Sequence, residues 1–531
     1  MAPASIKSIP GNEPEVQPSV FAVQTMIDDL LVEQNELQTP VQRFADTHER
    51  EPDLAGHYRS LIPLSRPGSN EQYAFEVALD RCTGCKACVS ACHSMNGLDE
   101  EESWRDVGAL LGGHSNPGWQ QTVTTACHHC EDPGCLNGCP VGAYEKEADT
   151  GIVRHLDDQC IGCSYCILKC PYDVPKYSKK RGIVRKCDMC HQRLEQGEAP
   201  ACVQACPTEA IRIVTVSTGS NSDPSGTMIS GEKPSSGLPD ESVTRPTTRY
   251  TGRTVPVTAH AADRAALVVE HTHLPLVLML VLTQTGIGLL LAACITPDEA
   301  TAVAVTGASL FLIGMAASGF HLGQPLKAWR FFLGLRTSWL SREILAFAIL
   351  TPLLLFFACL PIIPDFPLKD GIVDAVQWLL PLSGGVAIFT SVMVYHDTMR
   401  SLWRINRGAL RFFGTALLAG LLMSSDGLSV TVTFSILLLA KIGWECSLLR
   451  RRHDAKWTPD AHSARLLSGP LRLYLLIRCL AGFLAVVLAF LHPWAALVCL
   501  LGGEVLERSL FFRAVCAPKM PGNFGPQPAT P

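Results

Sequence analysis

Sixteen of the 22 cysteines in this 531-residue chain fall in four short runs, and these runs constrain the fold more than any other feature. The first and third runs have the spacing C-x2-C-x2-C-x3-C, which lets three thiolates bind one cubane [4Fe–4S] cluster while the fourth binds a neighbouring cluster. Sixteen thiolates therefore predict four [4Fe–4S] clusters. The runs are Cys82, Cys85, Cys88, Cys92; Cys127, Cys130, Cys135, Cys139; Cys160, Cys163, Cys166, Cys170; and Cys187, Cys190, Cys202, Cys206.

Two other uses of clustered cysteines, zinc binding and disulfide formation, fit this spacing less well. Structural zinc sites usually combine two separated C-x2-4-C pairs, whereas the first and third runs each place four cysteines within eleven residues. A proline follows the last cysteine of three runs (Pro140, Pro171, Pro207), as in bacterial ferredoxins. A disulfide framework is typical of short secreted chains, and no export signal is recognised near Met1.

The exchange of the fourth cysteine predicts that the runs work in pairs. Nesting the first run with the fourth and the second with the third would close two pseudo-symmetric ferredoxin units in one compact body. This pairing is a hypothesis that defines four ligand groups. They are group one, with Cys82, Cys85, Cys88 and Cys206; group two, with Cys187, Cys190, Cys202 and Cys92; group three, with Cys127, Cys130, Cys135 and Cys170; and group four, with Cys160, Cys163, Cys166 and Cys139.

The chain divides into a polar first half and an apolar second half. With 47% hydrophobic and 18% charged residues, the chain is too apolar to form one soluble domain. Its net charge of −5 gives no indication of nucleic-acid binding. The fold class expected is an α+β ferredoxin-like double two-cluster domain followed by an all-α polytopic membrane domain. The expected parts are an arm at 1–72 with one possible amphipathic helix that begins near Val20 and ends near Pro40, the cluster domain at 73–214, a Ser/Gly/Pro-rich linker at 215–262, the membrane anchor at 263–515 and a tail at 516–531.

Eight apolar segments in the second half predict about eight transmembrane helices. Several reach the roughly 20 residues needed to cross a bilayer. They cover approximately 274–295, 300–320, 343–363, 374–395, 409–424, 428–446, 471–491 and 493–511.

Basic residues are distributed unevenly between the two sides of this anchor. Thirteen lysines and arginines lie in or next to the loops on the amino-terminal side, against Lys369 alone on the other. Because basic loops stay in the cytoplasm, the sequence predicts a multi-pass protein of the bacterial inner membrane with its cluster domain on the cytoplasmic face.

Longer sequence motifs around the cysteines and in the apolar half indicate a protein family. The first half contains DRCTGCKACVSAC at 80–92, ACHHCEDPGCLNGCP at 126–140, CIGCSYCILKCPY at 160–172 and CDMCHQRLEQGEAPACVQACPTEAI at 187–211. The second contains HLPLVLMLVLTQTGIG at 273–288, SGFHLGQPLKAWRFFLGLRTSWLSREIL at 318–345 and GGEVLERSLFF at 502–512. The chain resembles a four-cluster electron-transfer subunit of the dimethyl sulfoxide reductase family, the complex iron–sulfur molybdoenzymes, fused to the membrane anchor subunit of that family.

This resemblance implies a separate catalytic subunit that carries a molybdopterin cofactor, and a quinone or quinol as redox partner in the membrane. The histidine of the family's HLG-x-P motif and the acid of its SREI motif belong to the quinone region, and here they are His321 and Glu343. Arg342 and His271 are further candidates, because ionisable groups near membrane depth are costly and often functional. The alternatives are helix capping, an Arg342–Glu343 pair, and solvation at the level of the lipid headgroups.

Three further charged residues lie within the last two apolar segments. Glu504 and Arg508 are expected to form an i, i+4 pair, and Arg478 to extend toward the lipid headgroups or to hold one of them.

The expected function is electron transfer between membrane quinone and the separate molybdenum oxidoreductase, either a reductase of S- or N-oxides or a dehydrogenase of sulfite or another sulfur compound. No catalytic residue is assigned to this chain. Two alternatives stay open, namely a structural metal-binding membrane scaffold and a self-contained quinone-linked iron–sulfur reductase.

Overall fold

The computed structural model describes residues 26–36, 42, 46, 49–50, 55–112, 118–219, 239–256, 258–295, 300–360, 362–364, 369–424 and 427–522. Helix α1 (Met26–Glu36) belongs to a separate unit that ends at Leu54. Its Ile27, Leu30 and Leu31 are exposed. A helix therefore forms in the amino-terminal arm, but Val20, from which we expected it to begin, lies outside the described residues.

The cluster domain is built on small sheets that connect distant parts of the chain. The strands are β1 (Glu71–Ala78), β2 (Asp106–Gly112), β3 (Trp119–Thr125), β4 (Tyr144–Lys146), β5 (Val153–His155), β6 (Lys176–Ser178), β7 (Ile183–Arg185), β8 (Ile211–Ser217), β9 (Arg249–Thr251) and β10 (His260–Ala261). The first sheet has the order β8-β1-β9, in which β1 pairs antiparallel with β8 and parallel with β9. The second has the antiparallel order β10-β2-β3, and two hairpins pair β4 with β5 and β6 with β7.

Short helices carry the cysteine runs, and the first and third runs repeat the same backbone. Gly84 and Gly162 have φ of 76° and 68° at equivalent positions, and Lys86 and Ser164 have φ of 63° and 58° just before a helix. Glycine adopts such angles at little cost, so each run can turn its thiols inward. The short helices are α2 (Ala55–Tyr58), α3 (Ala87–Asn96), α4 (Gly134–Gly138), α5 (Tyr165–Lys169), α6 (His191–Glu195) and α7 (Ala201–Gln204).

The second part of the segment 215–262, which was expected to be a linker, forms strands. Strand β9 adds to the first sheet, and β10 adds to the second, so residues after 239 contribute to the cluster domain. These strands are too short to be recognised from the periodicity of the sequence. Residues 220–238 lie outside the described part of the chain.

The second half is helical, which confirms the expected fold class. Its helices are α8 (Leu274–Ile295), α9 (Ala300–Gly319), α10 (Trp339–Cys359), α11 (Lys369–His396), α12 (Ile405–Leu422), α13 (Leu428–Ser447), α14 (Pro459–Ser468), α15 (Arg472–Ala489) and α16 (Pro493–Arg513). Six of them, α8, α9, α10, α11, α13 and α15, are long and apolar enough to span a membrane. Two more of at least 18 residues do not meet that condition, because α12 is less apolar and α16 contains Glu504, Glu507 and Arg508. The count of eight spans therefore stays a prediction.

Helix α8 occupies the centre of the helical bundle, because 78% of its apolar stretch is buried. It packs against α9, α12 and α16. Close approach to α12 depends on small residues, since a side chain at Gly288 would collide with the carbonyl group of Ala416. The third and fifth apolar segments begin earlier than the sequence suggested, at Trp339 and Ile405.

Candidate metal centres

The structure brings the sixteen cysteines into the four groups that the nested pairing describes. Group one lines a cavity of about 300 Å³, and group three lines one of about 360 Å³. In group two, Cys92 from the first run lies beside the three cysteines of the fourth run. In group four, Cys139 from the second run lies beside the three cysteines of the third run.

The donor atoms of these groups fit iron–sulfur clusters. All 22 cysteines, each within the described residues, are free thiols. Backbone N–H groups point at cysteine sulfurs in matching positions, from Ala143 to Cys139 and from Ala210 to Cys206, each at 3.2 Å. Hydrogen bonds to the sulfurs are among the terms that set cluster potentials. In the part of the chain that the structure describes, no three His, Cys, Asp or Glu side chains converge on a single-ion site.

The four groups follow one another in a row from group one to group four. Cys88 of group one neighbours Cys202 of group two, and Cys187 of group two neighbours Cys127 of group three. Between groups three and four lies the buried Tyr144, which neighbours cysteines of both. Cys85 of group one is exposed to solvent. The row therefore runs from the protein surface inward.

Group four lies against the helical domain. The Ser338 hydroxyl at the start of α10 donates to the Gly138 carbonyl at 2.7 Å, and the Gly334 N–H donates to the Pro140 carbonyl at 2.9 Å. The Tyr165 hydroxyl, between two cysteines of group four, donates to the Val394 carbonyl of α11 at 3.0 Å. These contacts hold the inner end of the row at the ends of the membrane helices.

Three histidines meet beside group four. The imidazole of His321 hydrogen-bonds to the backbone of Cys163. The ring centroid of His273 is 5.5 Å from that of His321 and 6.4 Å from that of His271. Burial, and then the neighbouring His321 and His271, lower the pKa of His273 to about 4. His273 is therefore neutral near pH 7 and can accept or donate a hydrogen bond.

The other two quinone candidates, Glu343 and Arg342, point in different directions. Glu343 is buried and accepts a hydrogen bond from the Ser391 hydroxyl. The Arg342 guanidinium stacks 4.5 Å from the Trp339 ring and donates to the carbonyls of Leu335 and Arg336. An Arg342–Glu343 pair, which the sequence left open, is not the arrangement in the structure. Arg342 is not brought to the histidines either.

Sequence reasoning missed the aromatic residues around Glu343. Tyr165 of the cluster domain and Tyr395 of α11 are both its electrostatic neighbours. The Tyr395 ring contacts Phe512, which in turn lies 5.7 Å from His273. Glu343 and the histidines are thus connected through these rings. The only signal in the sequence was the position of Tyr165 inside the third cysteine run.

A buried ionic network crosses helices α12, α13, α15 and α16. Glu504 pairs with Lys441 of α13 and, at 2.9 Å, with Arg478 of α15. The expected Glu504–Arg508 pair is therefore wrong, since Arg508 instead contacts Glu507 at 3.2 Å and Gln284 at 2.9 Å. Arg478 is fully buried and does not extend toward headgroups. The charged members are Arg411, Lys441, Glu445, Arg478, Glu504, Glu507 and Arg508.

Comparison with known proteins identifies two families in a single polypeptide. A 4Fe–4S dicluster domain matches residues 119–216, and the dimethyl sulfoxide reductase anchor subunit, DmsC, matches residues 269–442. The B subunit of the anaerobic dimethyl sulfoxide reductase of Haemophilus influenzae is 41% identical over 150 residues, which are 27% of this protein and 73% of the relative. The B subunit of the same reductase from Escherichia coli K12 is 42% identical over 148 residues, which are 26% of this protein and 72% of the relative.

More distant relatives belong to another oxidoreductase. The iron–sulfur subunit of the nitrate-inducible formate dehydrogenase of Escherichia coli K12 is 35% identical over 177 residues, which are 29% of this protein and 58% of the relative. In this protein the cluster domain and the anchor are continuous.

Proposed function

Because this protein belongs to the dimethyl sulfoxide reductase family of iron–sulfur electron-transfer subunits and carries the family's anchor in the same polypeptide, we propose that it relays electrons between membrane quinone and a separate molybdopterin-containing oxidoreductase. The observation that carries this proposal is the contact between cysteine group four and the helical domain beside His321. It gives one polypeptide both a row of cluster ligands and a site at membrane depth.

The four cysteine groups would hold one [4Fe–4S] cluster each, and each bound cluster accepts and returns one electron. The protein supplies the ligands, the N–H donors to their sulfurs and an enclosure that excludes most water. Cys85, the exposed ligand of group one, marks the end at which the catalytic partner would receive or deliver electrons.

The quinone site would lie between the three histidines and Glu343. Reduction of a quinone takes two protons as well as two electrons, so proton-carrying side chains must stand within hydrogen-bond reach of its oxygens. His321 fits this role because it also touches the backbone of the ligand Cys163. Glu343, buried beside the cluster domain's Tyr165, is the second proton-carrying group. The structure does not support Arg342 as a third.

The uneven distribution of basic residues supports a cytoplasmic cluster domain. The loop between α9 and α10 contributes three of the thirteen basic residues, and its Arg330 donates to the carbonyl of Asp158 in the cluster domain at 3.2 Å. The cluster domain and the basic loops therefore share one side, which the positive-inside rule assigns to the cytoplasm.

The substrate and the direction of electron flow would be set by the partner. A reductase of an S- or N-oxide would draw electrons from quinol, and a dehydrogenase of a sulfur compound would deliver them to quinone. The residues described above serve either direction.

Replacement of His321 by leucine tests the proposed quinone site. We expect the rate at which a soluble quinol analogue reduces the iron–sulfur centres in membranes to fall about a hundredfold, because a positioned proton acceptor is lost. Stopped-flow absorbance measures this rate. The iron content and the EPR spectrum after dithionite reduction should stay as in the native protein.

The matched control is His453→Leu, which removes an exposed histidine at the end of the 3-10 segment that follows α13. This variant should keep the native rate. If His321→Leu also keeps it, the quinone site lies elsewhere and the proposal for this residue fails.

A further inference from the structure

Two cations are buried inside the cluster domain with no described carboxylate at ion-pair distance, although Asp188 contributes to the electrostatic surroundings of one of them, Lys186. Arg105, which precedes β2, and Lys186, which follows β7, are each 2% exposed. Among the described residues neither forms an ion pair, whereas the neighbouring buried Arg185 is neutralised by Glu102. An isolated buried charge is expensive, so a cation retained in this state needs a compensating negative partner.

Lys186 lies at the boundary between groups two and three. Its ammonium group donates to the carbonyls of Val153 and of Cys187, the latter at 2.8 Å. It also lies 3.6 Å from the sulfur of Cys127, a group-three cysteine. One point charge therefore faces a ligand of each neighbouring group.

Arg105 lies at the boundary between groups one and two. Its Nη1 donates to the Thr124 hydroxyl at 3.2 Å, and that hydroxyl lies 3.6 Å from the sulfur of Cys88 in group one. The guanidinium packs 4.6 Å from the centre of the Phe75 ring, and its charge also faces Cys92, Cys187 and Cys202 of group two. The guanidinium also hydrogen-bonds to the side chain of Cys202 in group two.

The third boundary differs from the first two. Between groups three and four the corresponding place is taken by Tyr144, which carries no positive charge, and the His155 ring 4.9 Å from it is paired with the carboxylate of Asp157 at 2.8 Å. The row thus has a cation at the first boundary, a cation at the second and a neutral side chain at the third.

Net charge and hydrogen bonding around a cluster set its reduction potential, and a charge acts more strongly in a low-dielectric interior than in water. We propose that Arg105 raises the reduction potentials of the clusters in groups one and two, and that Lys186 raises those in groups two and three. This inference rests on the proposed function. Each cation favours the reduced, more negative state on both sides of its boundary, and group four is outside the reach of both.

EPR-monitored redox titration of the purified full-length protein tests the inference. Lys186→Met and Arg105→Met each keep an apolar side chain of similar length and remove the charge. Each should lower the midpoints of two of the four components, with a change of about tenfold or more in the reduction equilibrium, which is about 59 mV for one electron. The component of group two should shift in both variants, and the component of group four in neither.

Three further variants serve as controls. Lys186→Arg and Arg105→Lys retain the charge and should keep all four midpoints close to native. Lys179→Met removes a surface charge that is 76% exposed and paired with Glu101, and should shift none. Solvent screening makes such a surface charge ineffective.

Each outcome decides the question. Unshifted midpoints in iron-loaded neutral variants, a uniform shift of all four components, or equal shifts in the charge-retaining variants would each overturn the inference. Loss of iron from both neutral variants but not from the charge-retaining ones would also overturn it, because the cations would then serve cluster assembly. If the native protein itself lacks iron and EPR signals, the proposed function fails instead.

Discussion

Alanine in place of Cys166 is expected to remove one cluster and to abolish electron exchange with quinol. Cys166 is a buried member of group four, the group that contacts the membrane helices. With one thiolate lost, the iron content should fall from about sixteen to about twelve per polypeptide, since each cubane holds about four irons. Iron analysis of anaerobically purified protein and stopped-flow absorbance with a quinol analogue measure the two effects.

A second cysteine variant separates the two ends of the row. Cys85→Ala removes the exposed ligand of group one and should cost a similar amount of iron. It should keep quinol-driven reduction of the remaining centres, because group four and its contacts are intact. Cys359→Ala, at an exposed thiol outside all four groups, should lose neither iron nor activity.

These variants also discriminate the alternative functions. A structural metal-binding scaffold would show no quinol-driven reduction even in the native protein. A self-contained quinone-linked reductase would turn over without a partner subunit. Retention of about sixteen irons by Cys166→Ala would contradict the ligand assignment of group four.

Local spacing explains why the cysteine groups could be predicted. Three of the four members of each group come from one run, so a short segment of the polypeptide dictates most of the geometry. The fourth member follows from the exchange rule for two-cluster ferredoxins together with the nested order of the runs. Positive φ at Lys86 and Ser164 shows that the two runs of this spacing also share their backbone.

Long-range contacts explain what the sequence could not reveal. The hydroxyl of Tyr165 reaches Asp397 and Val394, more than 220 positions away, and nothing local marks that pairing. Strands β9 and β10 contain three and two residues, and they exist because β1 and β2 offer free edges. A hydropathy score likewise counts each charged residue of α12 and α16 as unfavourable for a membrane span, because it does not include oppositely charged partners on other helices.

The ionic network shows how a long-range partner can override a local one. An i, i+4 pair such as Glu504 and Arg508 contributes only about 0.2–0.5 kcal/mol in a solvated helix. Inside a helical bundle each buried charge must be compensated, and Glu504 is placed between Lys441 and Arg478 from two neighbouring helices. The Thr415 hydroxyl adds a hydrogen bond of 2.6 Å to the same carboxylate.

Glu504→Leu is therefore expected to destabilise the helical domain. The substitution leaves Lys441 and Arg478 buried with Glu445 as their remaining shared partner. Loss of one member of a buried ion pair costs about 3–5 kcal/mol, because the other charge is left uncompensated. The free energy of unfolding of the detergent-purified protein, followed by circular dichroism, should fall by that amount.

The double variant Glu504→Leu/Lys441→Met gives the sharper test of the cause. With one cation also removed, Arg478 still pairs with Glu445 at 3.4 Å, so much of the lost stability should return. Asp374→Asn changes an exposed carboxylate of α11 and should leave the free energy of unfolding within about 0.5 kcal/mol of native. If the double variant is instead less stable than Glu504→Leu by the full cost of a second lesion, the destabilisation comes from lost packing and not from uncompensated charge.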